Sequence, residues 1–231
     1  TDVVSALESQ GLNCQSKDWM PESLWITPPD RRLLNDTSLS LENRIFRQSL
    51  SSMAAVESMD VRPGHDVLDC CAAPGGKTSL IRTRQESEGI LVANDLSRRR
   101  VSRMKQVFEL NKVTGIDTQV NDAKTLGSLF PACFDRVLLD APCSGEGRFN
   151  LEEPDTWADW NSGKVRRLAK LQISLLKSAI RTLRPGGLLI YATCTLAPEE
   201  NECVLAKVLS RQSSSVQMEP IPIQFDGRRQ A

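Results

Sequence analysis

Short apolar runs alternate with amphipathic ones along the middle of the chain. Val67-Leu68-Asp69-Cys70 and Ile90-Leu91-Val92-Ala93 predict two strands, the second ending at Asn94-Asp95. Residues 76–84 predict a helix between them. Ser97 is placed to cap a further helix whose apolar stripe is Val101, Met104 and Phe108. Thr118–Asn121 predicts a weak third strand, and Arg136-Val137-Leu138-Leu139 a strong fourth that ends at Asp140-Ala141-Pro142. Val165, Leu168, Leu175, Leu176, Ala179 and Leu183 mark a long amphipathic helix, with Arg184-Pro185-Gly186-Gly187 as its stop. Leu188–Ala192 predicts a fifth strand. A last helix is expected from about Pro198, with Glu199 and Glu200 in its first turn and Val204, Leu205, Val208 and Leu209 on its apolar face. Strands separated by helices imply parallel βαβ units, so the expected fold is α/β: a mostly parallel sheet with helices on both faces.

Outside this region the pattern changes. Residues 1–40 carry Pro21, Pro28 and Pro29 among scattered polar positions and are expected to be a partial N-terminal extension. A catalytic domain is expected over 41–211, and a tail or truncated end over 212–231. The absence of an initiator Met suggests a piece of a longer chain.

Composition narrows the class. The 231 residues are 40% hydrophobic and 25% charged, with 29 basic and 29 acidic residues, which describes an ordinary globular protein rather than a generic polyanion binder. Local basic groups remain at Arg98-Arg99-Arg100 with Arg103 and Lys105, and at Lys164, Arg166, Arg167 and Lys170. No apolar run approaches the roughly 20 residues of a membrane helix, and no basic-then-apolar leader opens the chain. No membrane association is expected. Seven Cys, two of them adjacent, argue against a disulfide framework and for a reducing, cytoplasmic setting. With no CxxC pair and His65 as the single His, no metal site is expected.

Ligands of open α/β sheets bind beyond the carboxyl ends of the strands, and three predicted strand ends carry chemistry. The first, Asp69–Thr78, runs through small residues and two glycines into a helix, which lets a ligand approach the backbone. It is neither GxGxxG nor a complete Walker A loop. The second is Asp95, twenty residues after Gly75, about the spacing at which a carboxylate reaches ribose hydroxyls. Asp122, after the third strand, is a similar candidate near an adenine amino group. Taken singly, either acid reads as well as a loop cap. The third is a pair: Asp140-Ala141-Pro142-Cys143 ends the fourth strand and Thr193-Cys194-Thr195 the fifth. If these strands are neighbours, both Cys face one pocket. A helix start near Pro198 is expected to lower the pKa of Cys194.

At these residues the chain resembles the RsmB/NSUN (Sun-type) family of S-adenosylmethionine-dependent RNA cytosine-5 methyltransferases. The matching segments are Asp69–Thr78 (DCCAAPGGKT), Ala93–Arg100 (ANDLSRRR), Leu139–Gly147 (LDAPCSGEG), Leu183–Gly187 (LRPGG) and Tyr191–Glu202 (YATCTLAPEENE). They fall in order between about 65 and 205. The resemblance implies a Rossmann-like class I methyltransferase fold with S-adenosylmethionine as cofactor. It implies a methionine-binding loop at Cys71, Ala72, Ala73, Pro74, Gly75, Gly76 and Lys77, with Asp95 at the ribose, Arg100 in the helix that follows, Asp122 near adenine, and Asp140 beside cofactor and base. It implies Cys194 as the nucleophile and Cys143 as the residue that assists product release.

The family implies an RNA substrate, ribosomal RNA before transfer RNA, and a monomer is the expected state. Trp157, Trp160 and Phe149 are candidates for base stacking or for packing. Three positions depart from the family pattern: Ala192 stands where Ser often precedes the Thr-Cys pair, Gln48 is followed by Ser49 rather than an acid, and Arg148 directly follows Gly147. The β-hairpin usual after the last helix is not evident before Ala231. The alternative is a catalytically weak RNA-binding ribosome-assembly factor on the same fold.

Overall fold

The computed structural model describes residues 3–17, 20–26, 31–42, 44–210 and 215–221. Near the N-terminus, α1 (Val3–Glu8) precedes an antiparallel hairpin of β1 (Cys14–Lys17) and β2 (Met20–Ile26), followed by α2 (Arg31–Asn35) and α3 (Ser38–Leu41). Leu7, Leu12, Leu34 and Leu39 are buried together as a small separate core. These elements are too short to leave a clear periodicity in the sequence. Of the tail expected over 212–231, residues 212–214 and 222–231 lie outside the described residues.

The remainder runs through α4 (Leu50–Glu57), β3 (Val67–Asp69), α5 (Gly76–Arg84), β4 (Leu91–Asn94), α6 (Arg98–Leu110), β5 (Asp117–Gln119), α7 (Leu126–Leu129), β6 (Phe134–Asp140), α8 (Ser162–Thr182), β7 (Leu183–Ala192) and α9 (Glu202–Leu209). The five strands β3–β7 form one parallel sheet in the order β5-β4-β3-β6-β7. Successive strand residues point to opposite faces. Leu68, Val137 and Leu139 pack with Leu175, Leu176 and Ala179 of α8 and Val204 and Val208 of α9. Val67, Leu91 and Leu138 pack with Val56 of α4 and Leu80 and Ile81 of α5. A third cluster joins Ala93 to Val101, Met104 and Phe108 of α6, the stripe read from the sequence. The expected α/β architecture, with helices on both faces, is therefore present.

The order reverses direction between β3 and β6, so the loops leaving these strands diverge and open a crevice. Asn94, fully buried at the end of β4, ties this edge together. Its Nδ2 donates to the carbonyls of Cys70 and Asn121, and its Oδ1 accepts from the Asn121 N–H.

Three expected boundaries move. Leu183 begins β7 instead of ending the long helix: Pro185 disfavours helical conformation at Arg184 and has no N–H for the carbonyl four residues back, so α8 stops at Thr182. Pro185-Gly186-Gly187 then lies inside the strand, accommodated by a register shift between Phe134 and Arg136 of β6. The last helix does not start at Pro198: a single 3-10 turn over Pro198–Glu200 is broken at Asn201, and α9 follows from Glu202. Glu200, expected in the first turn of that helix, lies in the 3-10 turn instead and is fully buried.

Candidate active site

The loop after β3 is shaped by its small residues. Cys70 N–H donates to the Leu138 carbonyl and Ala72 N–H to the Asn94 carbonyl, so the chain leaves β3 pinned to both neighbouring strands. Gly75 caps α5 with φ +104°, a left-handed conformation that favours glycine. A Cβ there would stand 2.8 Å from Phe108 Cε1 and 2.9 Å from Met104 Cγ. Beside this loop lies a cleft of about 340 Å³. Asp69, Cys71, Ala72, Ala73, Pro74, Gly76, Lys77 and Asp140 line it, together with Phe46 and Gln48, whose Nε2 donates to the Gly76 carbonyl. Lys77 Nζ is 2.7 Å from Asp140 Oδ2, so the first and fourth strand ends are joined by an ion pair.

The other predicted binding residues are placed differently. Asp95 is buried at the end of β4, its Oδ1 accepting from the Ser97 N–H. Its Oδ2 lies 3.1 Å from Arg100 Nη1 but lacks a hydrogen-bonding alignment. Arg100 also donates through Nη2 to the Ala73 carbonyl at 2.6 Å, linking α6 to the glycine loop. Asp122 caps a 3-10 turn and pairs with Lys124 at 3.0 Å. Burial raises the Asp122 pKa, but the Lys124 N–H and ammonium outweigh it and hold the carboxyl below its ordinary value. The structure brings the glycine loop, Lys77 and Asp140 together around the cleft, whereas Asp95, Arg100 and Asp122 lie outside its lining.

These residues fit S-adenosylmethionine. A buried acid with one oxygen short of a donor suits the vicinal hydroxyls of a ribose. The alanines and glycines of the loop leave room for backbone contact, and Asp69 Oδ1 and Gln48 Oε1 are further buried acceptors without hydrogen-bond partners. Asp69 is fully buried, and burial pushes its pKa up to about 7 against the opposing hydrogen bond from Thr78.

The two sulfurs meet as the strand order requires. β6 and β7 are neighbours with Asp140 opposite Ala192, and Cys143 Sγ lies 3.1 Å from Cys194 Sγ. The pair is asymmetric. The hydrogen bond from Cys143 lowers the Cys194 pKa; burial opposes this, and the Arg148 charge adds to the lowering. The same hydrogen bond, then burial, raises Cys143. The cause expected from sequence, a helix start, is not the operative one, since α9 begins only at Glu202. Burial pushes Cys70 and Cys71 up, so the Cys pair of the glycine loop is held as inert thiols.

Four residues that the sequence reading assigned no site role hold the sulfur loops. Glu146 Oε1 accepts from the Trp160 indole N–H, and its Oε2 accepts from Thr195 Oγ1 and the Leu196 N–H. Asn201 Nδ2 donates to the carbonyls of Thr195 and Ala197. Glu200 accepts from the Ser144 N–H and from Gln172. The Gly147 N–H donates to the Cys194 carbonyl at 2.9 Å, where a Cβ on Gly147 would approach that oxygen to 3.0 Å. The acidic run Glu199-Glu200-Asn201 just after the Thr-Cys-Thr segment was the one available signal. Trp157 and Trp160 are partly exposed, and Trp160 stacks edge-on against Phe149. No metal-binding group of three or more His, Cys, Asp or Glu occurs among the described residues, nor any helix long and apolar enough to cross a membrane.

This sheet order, with a small-residue loop at the first central strand and acids at the strand ends beyond it, is that of the Rossmann-like fold of S-adenosylmethionine-dependent methyltransferases. More narrowly, the chain belongs to the RsmB/F family: the family model described as 16S rRNA methyltransferase RsmB/F matches residues 56–229. Ribosomal RNA small subunit methyltransferase F of Aeromonas salmonicida is 33% identical over 236 residues, covering 100% of this chain and 49% of that protein. The Escherichia coli protein of the same name is 35% identical over 217 residues, 92% of this chain and 45% of that one. The chain thus spans about half the length of the curated relatives it matches. Among solved structures, a methyltransferase homolog protein from Pyrococcus horikoshii aligns with TM-score 0.75 at 31% identity, over 90% of this chain and 65% of that one. NSun6 from Pyrococcus horikoshii, solved with SFG, aligns with TM-score 0.74 at 29% identity, over 88% and 51%.

Proposed function

We propose that the chain carries the catalytic part of an enzyme that methylates carbon 5 of a cytosine in RNA, ribosomal RNA before transfer RNA. The sulfur pair carries the reading: two thiols 3.1 Å apart, one held low and one held high in pKa, beside an acid that borders the cofactor cleft. The names of the relatives support the choice of ribosomal RNA. In this reading residues 41–211 are the catalytic domain, 1–40 a partial N-terminal extension and 212–231 a tail. The protein works as a cytoplasmic monomer.

Bound S-adenosylmethionine supplies an electrophilic methyl group. Cys71–Lys77 would cradle its methionine end, Asp95 the ribose, with Arg100 bracing the loop, and Asp122 would face the adenine. Carbon 5 of cytosine is a weak nucleophile, and the protein's task is to activate it. The Cys194 thiolate adds to carbon 6, which makes the ring an enamine with electron density at carbon 5. Water supplies the proton that N3 takes up in the adduct and receives it back when the ring is restored; Asp140, ion-paired with Lys77, accepts a hydrogen bond from that N3–H. Once Cys194 is bonded to carbon it no longer draws the Cys143 proton, and the main cause of the raised Cys143 pKa disappears. Cys143 then loses its proton to water and removes the proton left on carbon 5. The C–H electrons restore the C5–C6 double bond, and the Cys194–C6 bond breaks to return the thiolate. A pocket of this kind requires an unstacked cytosine.

The test is a denaturing gel of Cys143→Ala protein incubated with S-adenosylmethionine and total RNA. A slow, nuclease-sensitive protein–RNA adduct, absent from Cys143→Ala/Cys194→Ala, is the expected result. An adduct that survives in the double variant would assign the nucleophile elsewhere.

A further inference from the structure

Glu200 belongs to neither the cofactor cleft nor the sulfur pair, yet it is a fully buried carboxylate whose side-chain partners are neutral donors. Burying a charge without a cation costs free energy that an apolar or amide side chain would avoid. The contacts show what the charge holds. Both carboxylate oxygens accept from the Ser144 N–H, at 3.2 and 3.0 Å. Oε2 also accepts from Gln172 Nε2 at 2.7 Å, and the same amide nitrogen donates to the Pro142 carbonyl at 2.9 Å. Pro142 and Ser144 are the two neighbours of Cys143. One acid therefore fixes the peptide on each side of that cysteine, directly on one side and through Gln172 on the other. The Glu200 carbonyl accepts from Tyr191 of β7 at 2.6 Å, which anchors the acid to the strand that leads to Cys194.

We infer that Glu200, with Gln172 as its bridge, is the positioning residue for Cys143 and acts on the release of product rather than on the attack by Cys194. The inference rests on the release role given above to Cys143. Charge-assisted bonds to a backbone N–H are stronger than neutral ones, and fixing the peptides on both sides suits a sulfur that must reach a single proton. After the Cys194 hydrogen bond and burial, the Glu200 charge is also a cause of the raised Cys143 pKa.

Glu200→Gln keeps the shape and removes the charge. With S-adenosylmethionine and total RNA it should accumulate the covalent adduct while turnover falls roughly tenfold, the loss of one charge-assisted hydrogen bond. Gln172→Met, which removes the donor to both Glu200 and the Pro142 carbonyl, should do the same more weakly. Affinity for S-adenosylmethionine, measured by titration, should be unchanged in both variants, which separates lost positioning from misfolding. Loss of turnover without adduct in a folded Glu200→Gln protein would overturn the inference while leaving the methyltransferase reading intact. Absence of adduct from the Cys143→Ala control would overturn the release role and this inference with it.

Discussion

Cys143 and Cys194 are separated by 51 residues, and their sulfurs lie 3.1 Å apart at the ends of adjacent parallel strands. With the Cys194 pKa lowered and that of Cys143 raised by this contact, the proton belongs on Cys143, and the first sulfur stabilises the charge on the second. Cys194 should therefore be alkylated by iodoacetamide at pH 7 faster than the other cysteines, as read by peptide mass mapping. In Cys143→Ala the largest cause lowering the Cys194 pKa is gone, and its labelling at pH 7 should slow several-fold. A Cys194 that labels equally fast in both proteins would show that Arg148 and the backbone hydrogen bond at Cys194, not Cys143, lower its pKa.

Asp69 gives a stability prediction. Its folded pKa, about 7, lies above the unfolded carboxylate value of about 3.9. Between these values the folded state holds a proton that the unfolded state has lost, so this group's contribution falls as pH rises from 4 to 7. The full effect is roughly 4 kcal/mol. Asp69→Asn should gain stability relative to the native protein at pH 8 and lose that advantage at pH 4, measured by urea unfolding at each pH. An advantage that does not change with pH would mean that Asp69 titrates normally.

Gly75→Ala should weaken cofactor binding. The added methyl group meets Phe108 and Met104 at contact distances below 3 Å, in a backbone conformation that costs on the order of 1 kcal/mol or more for a residue with a Cβ. The loop must shift, and affinity for S-adenosylmethionine should drop at least tenfold by calorimetry while the far-ultraviolet circular dichroism is retained.

Asn94→Leu should destabilise the fold by about 2–4 kcal/mol, because it strips hydrogen bonds from buried backbone groups at Cys70 and Asn121. The midpoint of urea unfolding should fall with an unchanged slope. A loss within 0.5 kcal/mol, the usual range for surface substitutions, would mean that water replaces the amide.

The chain's periodicity alone determined the central strands, the α6 and α8 stripes and the parallel α/β class. The reason is local: residues two apart share a strand face and residues three or four apart share a helix face, whatever the rest of the fold does. The strand ends also announced the chemistry, since small residues before a helix and acids or Cys after apolar runs are visible in order. What the periodicity left undetermined was set by packing. The short elements of the first forty residues hold through Leu7, Leu12, Leu34 and Leu39, which contact each other only once the chain turns back on itself. Pro185-Gly186-Gly187 reads as a turn, but pairing of β7 with β6 draws it into a strand. Glu200 reads as a first-turn acid of a helix, and burial against Ser144 and Gln172 makes it a support for the Cys143 loop. The pairing of β6 with β7 likewise turned two distant cysteines into one asymmetric pair. Sequence names the groups that can react; the contacts that set their charge and aim join residues far apart in the chain, and only the folded sheet brings those together.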